Sequence, residues 1–241
     1  MIITKNLSVT YDGSQKALDN INIQIQGPAI VGIIGPNGAG KSTFMKAILN
    51  LIDYSGQVTV DDKEGRKLGH TVAYVEQRSM IDFNFPITVK ECIALGTYTK
   101  LGLFRPVGKK EMAKVDKHLK EVGLEGYGDR PIKSLSGGQF QRMLVARCLI
   151  QESDYIFLDE PFVGIDSVSE KIIVDLLKGL KEAGKTILIV HHDLSKVEYY
   201  FDKLLVLNKE LIAYGTVGET FNVETLSKAY GQNLILGKEA R

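Results

Sequence analysis

Apolar Ile21, Ile23 and Ile25 alternate with polar Asn22, Gln24 and Gln26, the period of a strand with one face buried. The segment ITKNLSVTY before them reads the same way, so the first quarter of the chain is predicted to be rich in strand. Three later runs, Ala29 to Ile34, Tyr155 to Leu158 and Thr186 to Val190, read as apolar throughout. Such runs predict central parallel strands covered by helices on both faces, hence an α/β sheet. Helical spacing places Phe44, Ile48 and Leu51 on one face, and Ile172, Leu176 and Leu180 on another. Met112, Val115, Leu119 and Val122 make a third such stripe. From about Phe85 to Ile150 no buried strand is expected and helical spacing dominates. Residues 85–150 are therefore read as a helical subdomain inserted between two parts of one core. No internal repeat or low-complexity segment interrupts the pattern.

A chain of 241 residues is long enough to bury a substantial core as one large domain. Thirty Lys and Arg against 29 Asp and Glu leave a formal charge of +1, which offers no general attraction for nucleic acid or an anionic membrane surface. Cys92 and Cys148 lack CxxC spacing, which argues against a disulfide framework or zinc site and predicts two buried small apolar residues in a reducing compartment. No stretch of 18 apolar residues occurs, and the first residues carry no signal-peptide pattern, so the expectation is a chain that neither crosses a membrane nor enters the secretory route.

The chemistry begins after the first apolar run. Gly35-Pro36-Asn37-Gly38-Ala39-Gly40-Lys41-Ser42-Thr43 follows a predicted strand and opens an amphipathic helix, the setting that makes GxxxxGK[ST] a phosphate cradle. Glycines let backbone N–H groups turn toward phosphate oxygens at a helix N-terminus, Lys41 spans the β- and γ-phosphates, and the Ser42 hydroxyl suits Mg²⁺. Further on, Leu135-Ser136-Gly137-Gly138-Gln139 precedes a helix striped by Phe140, Leu144 and Cys148. Ser136 and its glycines offer a hydroxyl and unobstructed N–H groups at a helix start, which suits an anion as well as a helix cap. The strand Tyr155 to Leu158 then ends in Asp159 and Glu160, where ligands of open α/β sheets collect.

Taken together these motifs resemble the ATPase subunits of ABC transporters over essentially the whole chain, residues 1–241 as a single ATPase domain. The resemblance implies a P-loop nucleotide-binding core, with a RecA-like sheet, an antiparallel β-subdomain and the inserted helical subdomain. It also implies ATP and Mg²⁺ as cofactors. Ser136, Gly137, Gly138 and Gln139 of one subunit would close over the ATP held by Gly35 to Thr43 of its twin in a head-to-tail homodimer. By the same resemblance Asp159 holds Mg²⁺ and Glu160 accepts the proton of the attacking water. Gln77, at the end of a strand from Thr71 to Glu76, would touch Mg²⁺ and that water and link the core to the helical subdomain. Tyr11, before a turn at Asp12-Gly13, matches the aromatic that stacks on adenine, although a lone tyrosine more often belongs to a core. His192 matches the histidine that contacts the γ-phosphate, because it directly precedes Asp193; His191 points the other way if the strand period persists. Asp166 matches a loop crossing the dimer interface, in which Gly164 replaces the alanine of many members.

One set of motifs favours a homodimer beneath separate membrane permease subunits, with the chain peripheral at the cytoplasmic face of the plasma membrane. The segment Met80 to Val89, with Phe83, Phe85 and Ile87, matches the region that receives a short helix of the permease; a buried hinge is the plainer account. DFNFPITV, GLFRP, DEPFVGID and LSKAYG resemble the ATPases of bacterial manganese and zinc importers, those of streptococcal type above all. The expected function is to power uptake of a divalent transition metal, manganese first, with an extracytoplasmic metal-binding protein as an indirect partner and no nucleic acid. His70, His118, His191 and His192 show no ligand spacing, so metal choice would rest with the other subunits. A soluble ABC-type ATPase that remodels a macromolecular complex, or an exporter ATPase, remains the alternative.

Overall fold

The computed structural model describes residues 1–11, 13, 15–64, 71–77, 85–102 and 105–231. Asp12, His70, Leu103, Phe104 and residues 78–84, including Phe83, lie outside them. In chain order the elements begin with strands β1 (Ile2–Tyr11), β2 (Gln15–Ile25) and β3 (Ala29–Ile34), then helix α1 (Lys41–Ile48). Strands β4 (Ser55–Val60) and β5 (Val72–Val75) precede helices α2 (Val89–Ala94), α3 (Lys109–Glu121) and α4 (Gly137–Leu149). Next come β6 (Tyr155–Asp159), α5 (Ser167–Glu182) and β7 (Thr186–Val190), and the chain returns through β8 (Lys203–Asn208) and β9 (Glu210–Thr216) to α6 (Val223–Tyr230).

Two units emerge. The first comprises Met1–Gln26, Val31–Glu64 and Val190–Arg241. In it β1 pairs antiparallel with both β2 and β4, and the alternation read from the sequence holds, with Ile21, Ile23 and Ile25 buried and Asn22 and Gln24 exposed. Strand β3 runs parallel to β8, and β8 antiparallel to β9. Every residue of β3 is buried, as its continuous apolar run requires of a strand covered on both faces.

The second unit comprises Gly27–Ile30 and Gly65–Ile189. Its strands lie in the order β5-β6-β7, with β5 and β6 parallel, and every residue of β6 and β7 is buried. Helix α2 packs on α3 and α4, and Val115, Leu119, Val122, Phe140, Leu144 and Cys148 all fill the core between helices. Both cysteines are buried thiols; burial pushes Cys148 up to about 12. No helix among the described residues is long and apolar enough to cross a membrane.

Two expected stripes differ in the structure. Leu51 is 59% exposed, because α1 ends at Ile48 with a left-handed residue, Asn50 (φ 55°). The N–H of Asn50 donates to the Ala47 carbonyl and that of Leu51 to the Lys46 carbonyl, a Schellman closure that satisfies the last helical carbonyls and takes Leu51 off the helical period. On α5 the buried apolar residues are Ile173, Val174 and Leu177, while Ile172, Leu176 and Leu180 are only half-buried. The helix carries more apolar residues than one face holds, and the neighbouring stripe wins the core.

Within the first unit, Gly32 of β3 faces Phe201 so closely that an added Cβ would lie 2.6 Å from the ring. Gly32→Ala should therefore cost about 1–3 kcal/mol through overpacking, measured by urea unfolding. Combining it with Phe201→Leu should cost less than the two separate changes summed.

Candidate functional site

The phosphate loop is shaped by backbone that comes too close for a side chain. A Cβ on Gly35 (φ 154°) would lie 2.0 Å from the Leu207 carbonyl oxygen, and one on Gly40 (φ 91°) would lie 2.5 Å from that of Ala17. Both positions also hold positive φ, which glycine adopts without steric cost. Gly40 is the N-cap of α1, which has no side-chain cap and no acidic residue in its first turn. Its leading N–H groups and the positive end of its dipole therefore suit an anion. The loop is tied down by hydrogen bonds from the Ala39 N–H to the Pro36 carbonyl (3.2 Å) and from the Lys209 N–H to the Ala39 carbonyl (2.9 Å).

Lys41 is only 7% exposed, and its ammonium donates to the carbonyls of Gly35 and Pro36 at 2.9 Å each. A buried ammonium needs such acceptors, and these two hold it inside the curve of the loop. Ser42 and Thr43 follow on α1, both half-buried, whereas Asn37 and Gly38 are exposed at the loop tip. Tyr11 is 46% exposed at the end of β1, and its hydroxyl donates to Thr43 Oγ1 at 3.4 Å. Tyr11 is thus an exposed aromatic beside the start of α1. At the end of β7 the two histidines diverge: His191 is buried, edge-on to Tyr200 and Phe201 with centroids 5.6 Å apart, and its N–H donates to the Ile33 carbonyl. His192 is exposed.

In the second unit β6 delivers two carboxylates with different surroundings. Asp159 is 3% exposed and accepts from the Tyr74 hydroxyl at 3.5 Å. Burial, and next the charge of Asp159, push the Tyr74 phenol well above its ordinary range, so it stays a donor. Glu160 is half-buried with φ 51°, a left-handed conformation that costs a non-glycine residue about 1–3 kcal/mol. Gln77 Nε2 donates to Glu160 Oε2 at 2.9 Å, so two residues 83 apart in sequence meet at the strand end. Tyr74 is a contact the sequence reading missed. The available signal was a phenol on a buried strand three residues before Gln77, since a buried Tyr hydroxyl usually needs a partner.

Ser136 caps α4: its hydroxyl accepts from the Gln139 N–H at 3.3 Å, and its own N–H donates to Gln139 Oε1 at 2.9 Å. This reciprocal capping box accounts for Ser136 and Gln139 but for neither glycine. Gly138 is explained by a neighbour: its Cβ would lie 2.2 Å from Ser169 Oγ and 2.5 Å from Asp166 Oδ2. Asp166 caps α5, accepting from the Ser169 N–H and hydroxyl at 2.8 Å each, and those bonds hold its carboxyl below the usual range. Gly164 just before it has φ 68°, where alanine would be strained, and Val163 and Val168 beside it are exposed.

The family model described as ABC transporter matches residues 18–163, a span that holds the phosphate loop, the capping box and both carboxylates. The chain belongs to the ABC transporter family. Within it, the chain is 52% identical to the manganese transport system ATP-binding protein MntB of Halalkalibacterium halodurans, over 95% of this chain and 91% of that protein. It is 47% identical to the zinc transport system ATP-binding protein TroB of Treponema pallidum, over 94% of this chain and 85% of that one. Among solved structures, a dimeric ATP-binding cassette in a post-hydrolysis state with ADP and Pi is 29% identical, with a TM-score of 0.78 over 90% of this chain and 99% of that chain. Membership makes this ABC protein an ATPase whose hydrolysis is coupled to transport.

Gly138→Ala tests the close approach of the capping segment to the α5 cap. The added methyl should cost about 1–3 kcal/mol, measured by thermal unfolding. Adding Ser169→Ala should recover part of that loss, because it removes the nearest atom.

Proposed function

We propose that the chain is the ATP-hydrolysing subunit of an importer for a divalent transition metal, manganese first, acting through separate membrane permease subunits. Strongest support for the chemistry comes from the acidic pair ending β6, one carboxylate buried and the other gripped by Gln77. The choice of metal rests on likeness to relatives named for manganese and zinc transport. An extracytoplasmic metal-binding protein is the indirect partner, and the chain works as a peripheral subunit on the cytoplasmic face of the membrane. Phe85, 54% exposed just before α2, suits the permease contact expected of that segment. The whole chain is read as one ATPase domain with residues 85–150 as its helical subdomain, the part that carries α2, α3 and α4.

In this reading the N-terminus of α1 receives the phosphates of ATP and the Lys41 ammonium lies across the β- and γ-phosphates. Tyr11 stacks on the adenine, a contact worth about 1–3 kcal/mol. Ser42, Gln77 and Asp159 supply hydroxyl, amide and carboxylate oxygens, the hard donors that suit Mg²⁺. When bound, that ion neutralises charge on the β- and γ-phosphate oxygens. Glu160 accepts a proton from the water that attacks the γ-phosphorus, as the bond to the β-phosphate oxygen breaks and ADP leaves. Gln77 fixes the plane of the Glu160 carboxylate, and His192 contacts the γ-phosphate. Ser136, Gly137, Gly138 and Gln139 of a second copy complete the site from the other side, with Asp166 at the subunit junction. ATP thus closes a homodimer, and hydrolysis reopens it.

Glu160→Gln should keep ATP binding while lowering hydrolysis by about 10²- to 10⁴-fold, the loss expected for a general base. Cells carrying only this variant should fail to accumulate manganese. Lys41→Ala should instead lose ATP binding, read by equilibrium dialysis. Turnover near wild type in Glu160→Gln would reject the base assignment, and normal manganese uptake would reject the cargo.

A further inference from the structure

Between the end of α3 and the start of α4 the chain makes a turn around Tyr127 that none of the motifs read from the sequence includes. Gly126 holds φ 79°, and the N–H of Tyr127 donates to the Leu124 carbonyl at 3.0 Å. The N–H of Arg130 donates in turn to the Tyr127 carbonyl, also at 3.0 Å. From the start of α2 the N–H groups of Val89 and Lys90 reach the carbonyls of Arg130 and Gly128 at 2.9 Å each. The backbone that carries Tyr127 is therefore held both by its own turn and by α2. Its ring is held as well, because the Arg130 guanidinium lies over it, 4.1 Å from the centroid.

Tyr127 is half-buried, and its hydroxyl accepts from Gln139 Nε2 at 3.3 Å. The other end of the same amide belongs to the capping box of α4, where Gln139 Oε1 accepts from the Ser136 N–H at 2.9 Å. A backbone N–H can only donate, so Oε1 must face Ser136 and Nε2 must point away from it. Tyr127 supplies the acceptor on that far side. The Gln139 side chain is thus pinned at both ends, whereas a capping box alone pins it at one. Gln139 is only half-buried, so water competes for its amide, and the second anchor favours the closed box.

We propose that Tyr127 is a positioning residue for the Ser136 to Gln139 segment: its hydroxyl holds the Gln139 amide in the capping box and so keeps the first turn of α4 in the shape that meets ATP on a second copy. Tyr127 acts only through Gln139. This inference rests on the reading that the segment completes the site of a twin.

The experiment uses the full chain in the Glu160→Gln background, with ATP and Mg²⁺, and compares it with and without Tyr127→Phe. The substitution removes one oxygen and keeps the ring under Arg130. Analytical ultracentrifugation gives the dimer dissociation constant, equilibrium dialysis at low protein concentration gives the ATP affinity of the single chain, and thermal unfolding gives stability. One lost hydrogen bond of this kind weakens each segment about threefold. A closed dimer contains two such segments, so its dissociation constant should rise about tenfold. The ATP affinity of the single chain should stay within about twofold and the unfolding midpoint within about 2 °C. In a Gln139→Ala background the same substitution should move the dimer constant less than about twofold, because the donor is already gone. An unchanged dimer constant overturns the proposal, and so does a full rise in the Gln139→Ala background. A matching loss of ATP affinity in the single chain also overturns it, since the effect would then lie at the phosphate loop. Failure to fold, or a midpoint lower by more than about 5 °C, makes the hydroxyl a structural group and overturns it too. If Glu160→Gln with Tyr127 intact forms no dimer on ATP, the twin reading itself has failed and the proposal falls with it.

Discussion

The Gly35 peptide is the point from which the nucleotide half of this molecule is organised. The Leu207 carbonyl leaves no room for a Cβ there, so the chain can pass from β3 into the phosphate loop only through a residue without a side chain. With that turn fixed, the carbonyls of Gly35 and Pro36 point inward and the Lys41 ammonium has a pair of acceptors. The cation is held before any phosphate arrives, so little of the binding energy goes into ordering a long side chain. Gly40 repeats the device at the start of α1, where the Ala17 carbonyl forbids a side chain and the helix opens without a cap of its own. Packing of backbone on backbone, more than any ion pair, keeps this anion site in shape.

A second economy governs the carboxylates. Glu160 sits in a left-handed conformation that a non-glycine residue holds only when its surroundings over-determine it. Buried β6 fixes the residue before it, and the Gln77 amide fixes its carboxylate. Strain at a strand end next to a buried aspartate is the arrangement expected of a group positioned for chemistry.

Much of this was legible in the sequence, and the exceptions share a cause. Continuous apolar runs identified β3, β6 and β7, and alternation identified β2, because burial on two faces or one leaves a direct trace in residue type. The phosphate loop was legible because its residue order between a strand and a helix is itself a motif, although the crowding at Gly35 and Gly40 comes from Leu207 and Ala17. Leu51 and the Ile172 stripe misled because apolar spacing says nothing of where a helix ends or which of two adjacent apolar stripes meets the core. The Tyr74 contact was missed, and the steric need for Gly138 was not legible in the residue order. Each owes its place to a partner distant in sequence: Asp159 for the first and the Asp166 cap for the second. The Ser136 to Gln139 segment lies between these cases: its capping box can be read from residue order, whereas the need for Gly138 arises only from α5.

The central claim is that one chain carries both the phosphate loop and the segment that completes the site of a twin, so that hydrolysis belongs to the dimer. The most direct test is the ATPase rate per chain, measured across a wide range of protein concentration at saturating ATP and Mg²⁺. The account predicts a rate per chain that falls away at low concentration, as the nucleotide-closed dimer becomes limiting, and reaches a plateau at high concentration. A rate per chain that stays constant down to concentrations at which light scattering finds only monomer would contradict it.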